Sequence, residues 1–435
     1  MTIALLAALV ALQQVPAANP SAAAPRPDTL LIRAGRLIDG RSDEARTDQG
    51  ILVAGERIGA VGPWAEVSRR ARGARVIDLS HATVLPGLID DHTHILLQGD
   101  VTSQDYDTQL LEQSIAYRAL LASRNVRWAL LEGYTALRDV ETEGAMYADV
   151  DVKRAINRGV IPGPRLFVST RAMAPTGMYP IQSDNWELEL PKGVEIVDGP
   201  DAIRRAVREQ VSHGADWIKF YADRRYYMAD DGTIRSWVNF TDDELQALVG
   251  EAHRLGRPVA AHAIGRDGIE AALRAGVNSI EHGMGITDSL ARVMAQRGVY
   301  WCPTIYVTVY VAPGRAAAGA PIWQQLVEAE RRAFASALRA DVKIANGTDA
   351  GGFPWTEPLA RDFTYMVRYG MTPMQAIKTG TSVAAELLGR QDEFGSIASG
   401  HYADIIAVAG DPLQDISELE LVKFVMKGGT VYKQE

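Results

Sequence analysis

Between residues 83 and 389 the chain alternates short apolar or β-branched runs with amphipathic helical stretches, and this alternation restricts its fold more than any other feature. It is the pattern of repeated βα units around a parallel sheet. Eight strands are predicted, at 84–90, 135–139, 165–169, 217–221, 258–262, 279–282, 300–303 and 343–347. Helical stretches separate them, for example 202–213, 242–255, 266–275, 289–297 and 329–339. Several start at cap-like Asp, Thr or Ser, and a glycine follows the last periodic residue in four of them. Eight such units predict an α/β chain with a closed (β/α)8 TIM barrel, residues 83–389, rather than an open doubly wound sheet.

The flanks have a different texture. Residues 25–82 read as short strands broken by glycine, and 390–435 repeat that texture, so the two ends are expected to form one composite β domain, a small β-sandwich. Residues 1–24 hold an apolar run at 3–12 and then small residues, which predicts a secretory signal peptide although no Lys or Arg precedes the run. The mature protein is therefore expected in the periplasm or outside the cell. No later stretch reaches about 20 apolar residues, so no membrane span is expected. The formal charge is −9 and no basic run occurs, which argues against nucleic acid as a partner. Association into a homo-oligomer is allowed, but nothing in the chain specifies a symmetry.

Cys302 is the single cysteine, so a bound metal would have to be held by His and carboxylates. Four of the eight histidines stand at or just past predicted strand ends, where a barrel keeps its active site. His92 and His94 occupy alternate positions of Asp90-Asp91-His92-Thr93-His94, so both rings can reach one ion. His262 closes the fifth strand and His282 the sixth. Asp349 follows the eighth strand in a glycine-rich turn. Lys219 sits inside the apolar strand Trp217-Ile218-Lys219-Phe220-Tyr221, where burial favours the neutral amine, the form that adds carbon dioxide to become a carbamate.

Leu85-Pro86-Gly87-Leu88-Ile89-Asp90 leading into His92-Thr93-His94, with Lys219, His262, His282 and Asp349 in strand order, resembles the metal-dependent amidohydrolase superfamily. Gly214-Ala215-Asp216-Trp217-Ile218-Lys219, Ser279-Ile280-Glu281-His282-Gly283 and Gly347-Thr348-Asp349-Ala350 look like its imidazolonepropionase-like branch. That branch includes binuclear Xaa-Pro dipeptidases, related carboxypeptidases and ochratoxin-hydrolysing amidases. The resemblance implies two divalent ions, expected to be zinc. It makes His92, His94 and Asp349 ligands of one ion, His262 and His282 ligands of the other, and carbamylated Lys219 the bridge.

The activity so implied is hydrolysis of amides bearing a free C-terminal carboxylate (dipeptides, N-acyl amino acids, ochratoxin-like amides) by a metal-bridging hydroxide. Asp349 would carry the proton to the leaving nitrogen, and Tyr221, two residues past Lys219, could meet the oxyanion or a substrate carboxylate. Long loops predicted at 170–199, 222–240 and 304–321 carry aromatics with Arg171, Arg224 and Arg225, of which Arg171 and Arg224 are candidates for a carboxylate. The segment 174–178 lacks a histidine common in relatives. Arg138 and Asp139 are expected to form an internal ion pair, and Tyr117, His253 and His401 to be helix or surface residues. The same metal site would also serve a cyclic amide or lactone hydrolase. A non-catalytic scaffold would be expected to have eroded ligands, and all six are present.

Overall fold

The computed structural model describes residues 29–71, 73–178 and 187–435. The predicted leader lies outside the described residues, as do Tyr179 and Trp186 of the first long loop. Both chain ends enter one mixed sheet of seven strands. Their spatial order is Thr430–Gln434, Phe424–Lys427, Ile405–Val408, Arg75–Pro86, Thr29–Leu37, Arg46–Ala54 and Arg57–Pro63. Thr29–Leu37 runs parallel to Arg75–Pro86, and the other neighbours are antiparallel. Alternation along these strands places Ile32, Val84, Ile405 and Phe424 in one buried cluster. Leu31 points the other way and meets Val67 of the helix Trp64–Arg70. The expected sandwich is therefore one continuous sheet, apolar on both faces, with a helix against one of them.

Pro86 ends the long Arg75–Pro86 strand, and after Gly87 the chain leaves this sheet for a second set of parallel strands. These are β1 (Leu88–Thr93), β2 (Tyr134–Asp139), β3 (Arg165–Val168), β4 (Ile218–Tyr221), β5 (Val259–Ala263), β6 (Ser279–His282) and β7 (Tyr300–Cys302). β1, β2 and β3 form one sheet, while β4 to β7 belong to another that also holds the short strands Met173–Ala174 and Glu195–Ile196. The first predicted strand, 84–90, is thus divided between two sheets. The eighth, 343–347, is no strand: Ile344 makes a single parallel bridge to Trp301. The backbone still stitches this segment to β1, since Asp91 N donates to Asn346 O at 2.8 Å and Asp349 N to His92 O at 2.7 Å. The ladder is not continuous around a closed barrel.

Two predicted loops are ordered elements. Residues 222–240 contain a hairpin, Asp223–Met228 against Ile234–Val238. Residues 304–321 contain the helix Ile305–Ala317, whose first amides are met by the buried carboxylate of Asp362, with Oδ1 accepting from Ile305 N at 2.9 Å and Tyr306 N at 3.2 Å. That cap comes from a residue far along the chain, whereas Thr304, a cap-type residue at the N-cap position, takes left-handed backbone and makes no side-chain cap bond. No helix among the described residues is long and apolar enough to cross a membrane.

Candidate active site at the strand ends

The C-terminal ends of β1, β4, β5 and β6 bring the predicted histidines and Lys219 together around Asp349. His94 Nε2 lies 3.1 Å and His92 Nε2 3.7 Å from Asp349 Oδ1, and His282 Nδ1 lies 4.0 Å from Asp349 Oδ2. Ring centroids are 4.9 Å apart for His92 and His282 and 4.6 Å for His262 and His282. Lys219 is 1% exposed, with Nζ 5.6 Å from the centroid of the Tyr221 ring. A cavity lined by His94, Lys219, Tyr221, His262, His282 and Asp349 opens among them.

Backbone geometry here is forced. Thr170, His282, Thr304 and Asp349 all take positive φ without being glycine, a cost accepted where surroundings over-determine the chain, as at functional sites. Gly347 and Gly351 allow the approach: a Cβ on the first would lie 2.7 Å from His92 Cβ, and on the second 2.5 Å from His94 O.

Burial pushes the pKa values of His92 and His262 far below the ordinary imidazole range and that of His282 down to about 4, so these rings keep a lone pair at neutral pH. In His94 burial acts the same way but is outweighed by the hydrogen bond and charge of Asp349, with Glu143 adding to them, and the ring is pushed up to about 10. Burial alone would raise the Asp349 carboxyl, yet His94 and His92 hold it below the usual range.

Beneath the histidines lies a polar layer not expected from the sequence. His92 Nδ1 donates to Glu281 Oε2 at 2.7 Å, which leaves Nε2, on the Asp349 side of the ring, as the acceptor nitrogen. Glu281 in turn accepts from Arg138 Nη2 at 2.9 Å. Arg138 therefore pairs with Glu281, not with Asp139: neighbours in a strand point to opposite faces, and Asp139 instead accepts from Ile95 N at 2.7 Å. A charge inside an apolar strand singled out Lys219, and the same signal was present at Arg138 and Glu281.

Other expectations change. The Tyr221 hydroxyl donates to Glu141 Oε2 at 2.6 Å and is thus engaged within the protein. Arg224 lines the cavity, with Cζ 5.4 Å from the Tyr221 ring centroid. Arg171 is not brought there; its Nη1 lies 3.5 Å from Glu195 Oε1. His401 is buried beside Ser396 and Arg41 rather than on the surface. Tyr306 and Tyr310 pack on Phe353.

The donor set fits divalent metal: His92 Nε2 and His262 Nε2 are buried and have no hydrogen-bond partner, and imidazole with carboxylate is the ligand chemistry of zinc. His92, His282 and Asp349 each offer a ligand atom within 4.8 Å of the others. The model of the amidohydrolase family matches residues 83–432. The chain belongs to the amidohydrolase family. It is 31% identical to the ochratoxinase of Aspergillus niger over 429 residues, covering 93% of this chain and 86% of the relative. Among solved structures, a Xaa-Pro dipeptidase with methionine bound in its active site superposes with a TM-score of 0.83 at 34% identity, covering 93% of this chain and 100% of that one. The A. niger ochratoxinase structure superposes at 0.79 with 29% identity, covering 94% and 96%. This amidohydrolase is accordingly a hydrolase of TIM-barrel-type fold, with a mixed α/β chain and a candidate metal centre at its strand ends.

Proposed function

We propose that this amidohydrolase is a binuclear metal enzyme that cleaves amide bonds in small substrates bearing a free carboxylate. The observation that carries the reading is the pair of buried nitrogens without a hydrogen-bond partner, His92 Nε2 and His262 Nε2, beside the Asp349 and Lys219 that line the cavity with His262. His92, His94 and Asp349 would hold one ion, His262 and His282 the other, and Lys219 as its carbamate would join them. When bound, two zinc ions would polarise the amide carbonyl and lower the pKa of water to about 7.

The chain's own groups supply the rest. Asp349, fixed by its left-handed backbone and by His94, is placed to accept a proton and deliver it to the leaving nitrogen. Glu281 holds the His92 ring in one tautomer, and Thr304 Oγ1, 2.9 Å from His282 Nδ1, orients the second. Arg224 and Arg315 line the cavity and suit a substrate carboxylate, while Tyr226, edge-on to Trp323 at 6.2 Å, suits an apolar group. In this reading the two strand sets and the bridged segment 343–347 make up the (β/α)8-type unit of residues 83–389, the end sheet is a separate domain, and residues 1–24 direct export.

The name of one similar protein, a Xaa-Pro dipeptidase, supports linear amides over cyclic ones. The test is metal analysis together with a panel of dipeptides, N-acyl amino acids, ochratoxin A, cyclic amides and lactones. Two equivalents of metal, loss of turnover on chelation and release of amine from linear members are expected. Cleavage confined to cyclic members would overturn the substrate class, and one equivalent at full activity would overturn the binuclear site.

A further inference from the structure

Two arginines line the cavity, and one of them is tied to the turn that carries Asp349. Asp100, Arg224, Tyr226, Arg315 and Trp323 line both this cavity and a hollow adjoining it, so they form its mouth. Gly99 N donates to Gly351 O at 2.9 Å, Asp100 N to Gly352 O at 3.3 Å, and Gly352 N to Asp349 O at 2.9 Å. The segment past β1 is thereby sewn to the Asp349 turn. Arg315, on the helix Ile305–Ala317, docks on that segment. Its Nε donates to Val101 O at 3.3 Å and its Nη2 to Asp100 O at 3.1 Å, with Asp100 Oδ1 3.5 Å from Nη2. The Trp323 ring backs the guanidinium, with its centroid 4.2 Å from Cζ.

These contacts occupy Nε and Nη2 and leave Nη1, with its two N–H donors, without an acceptor among the described residues. The Arg315 side chain is 24% exposed, so Nη1 is open to a ligand in the cavity. Burial pushes the Asp100 carboxyl up to about 7, so near neutral pH it compensates only part of the guanidinium's charge. Arg224 is placed differently: it follows β4, its Cζ lies 5.4 Å from the Tyr221 ring centroid, and its charge adds to the lowering of His262.

We propose that Arg315 is the specificity-determining residue for the leaving half of the substrate, with Nη1 receiving the free carboxylate of the departing amino acid. The inference rests on the amide-hydrolase reading and deepens it by dividing the two arginines. In that reading Asp349 serves the leaving nitrogen, and Arg315 is anchored to the same turn through residues 100 and 101, so proton carrier and carboxylate partner share one framework. A planar guanidinium already fixed along one edge loses little further freedom when a carboxylate binds. Arg224, beside Tyr221 and His262, belongs to the acyl half.

The test follows acetate release from N-acetylphenylalanine and from its C-terminal carboxamide on the metal-loaded enzyme, and titrates phenylalanine against phenylalaninamide by calorimetry. Wild type is expected to favour the acid at least about 10-fold in both kcat/KM and binding, as a charge-assisted hydrogen bond allows. Arg315→Gln should bring that ratio close to 1 while leaving the carboxamide substrate within about 3-fold. Arg224→Gln should keep the ratio within about 3-fold of wild type, and its collapse there would overturn the assignment even if Arg315→Gln failed to fold. An equal loss on acid and carboxamide in Arg315→Gln would show a purely structural role and overturn the subsite. Equal binding of acid and carboxamide by wild type would overturn it too, even if linear amides are cleaved. An Arg315-dependent preference for phenylalanine without turnover of any amide would support the subsite and overturn the activity reading instead.

Discussion

The sheet made from both chain ends and the mouth of the parallel strands handle buried polarity in opposite ways. In the sheet, Ile32, Val84, Ile405 and Phe424 close on one another, and a charged pair such as Arg33 with Asp48 at 3.0 Å stays exposed at its surface. At the mouth, His92, His94, His262 and Glu141 keep buried polar atoms without hydrogen-bond partners, and non-glycine residues take left-handed backbone. One region turns burial into stability, and the other holds polar groups ready at a cost in stability for a ligand to repay. Substitutions should therefore separate activity from stability according to region.

The largest expected effect is on turnover. Asp349→Asn should lower kcat/KM by about 10³-fold, within the range of a lost general base, while most bound metal remains by elemental analysis. Near wild-type activity would remove Asp349 from the chemistry. In the sheet the contrast reverses. Phe424→Ala, at a position 1% exposed, should cost about 3–5 kcal/mol in denaturant unfolding yet leave kcat/KM of the folded fraction unchanged. A matching loss of activity would mean that the sheet and the mouth are coupled.

A smaller effect probes the layer between the two. Glu281→Gln keeps the volume but removes the carboxylate that orients His92 and meets Arg138, and should weaken metal affinity about 10–100-fold, read by competition with a chelator. The smallest effect lies in the sheet and depends on pH. Burial holds the Lys427 ammonium down at about 8 against 10.5 in the unfolded chain. Between these values the unfolded chain binds more protons than the folded one, so this lysine's contribution improves as pH rises. Wild type should gain stability relative to Lys427→Met from pH 8 to 10.5, and melting curves that stay parallel would show that the ammonium is not desolvated.

The linear sequence determined much of this protein, for physical reasons local to the chain. Period-two and helical patterns set β2 to β7 and the helices after β3 to β6, and His92, His94, His262 and His282 were visible because strand ends are local features. Tertiary structure decided the rest. Residues 343–347 became a bridged segment instead of a strand, and 305–317 a helix, because their partners, Trp301 and Asp362, come from other parts of the chain. The pairing of Arg138 with Glu281 depends on two strands facing inward across the bundle, and the hydrogen bond of Glu141 on Tyr221 arriving from β4. Spacing along the chain shows which face a side chain takes, whereas the partner it meets there is set only when distant strands close on one another.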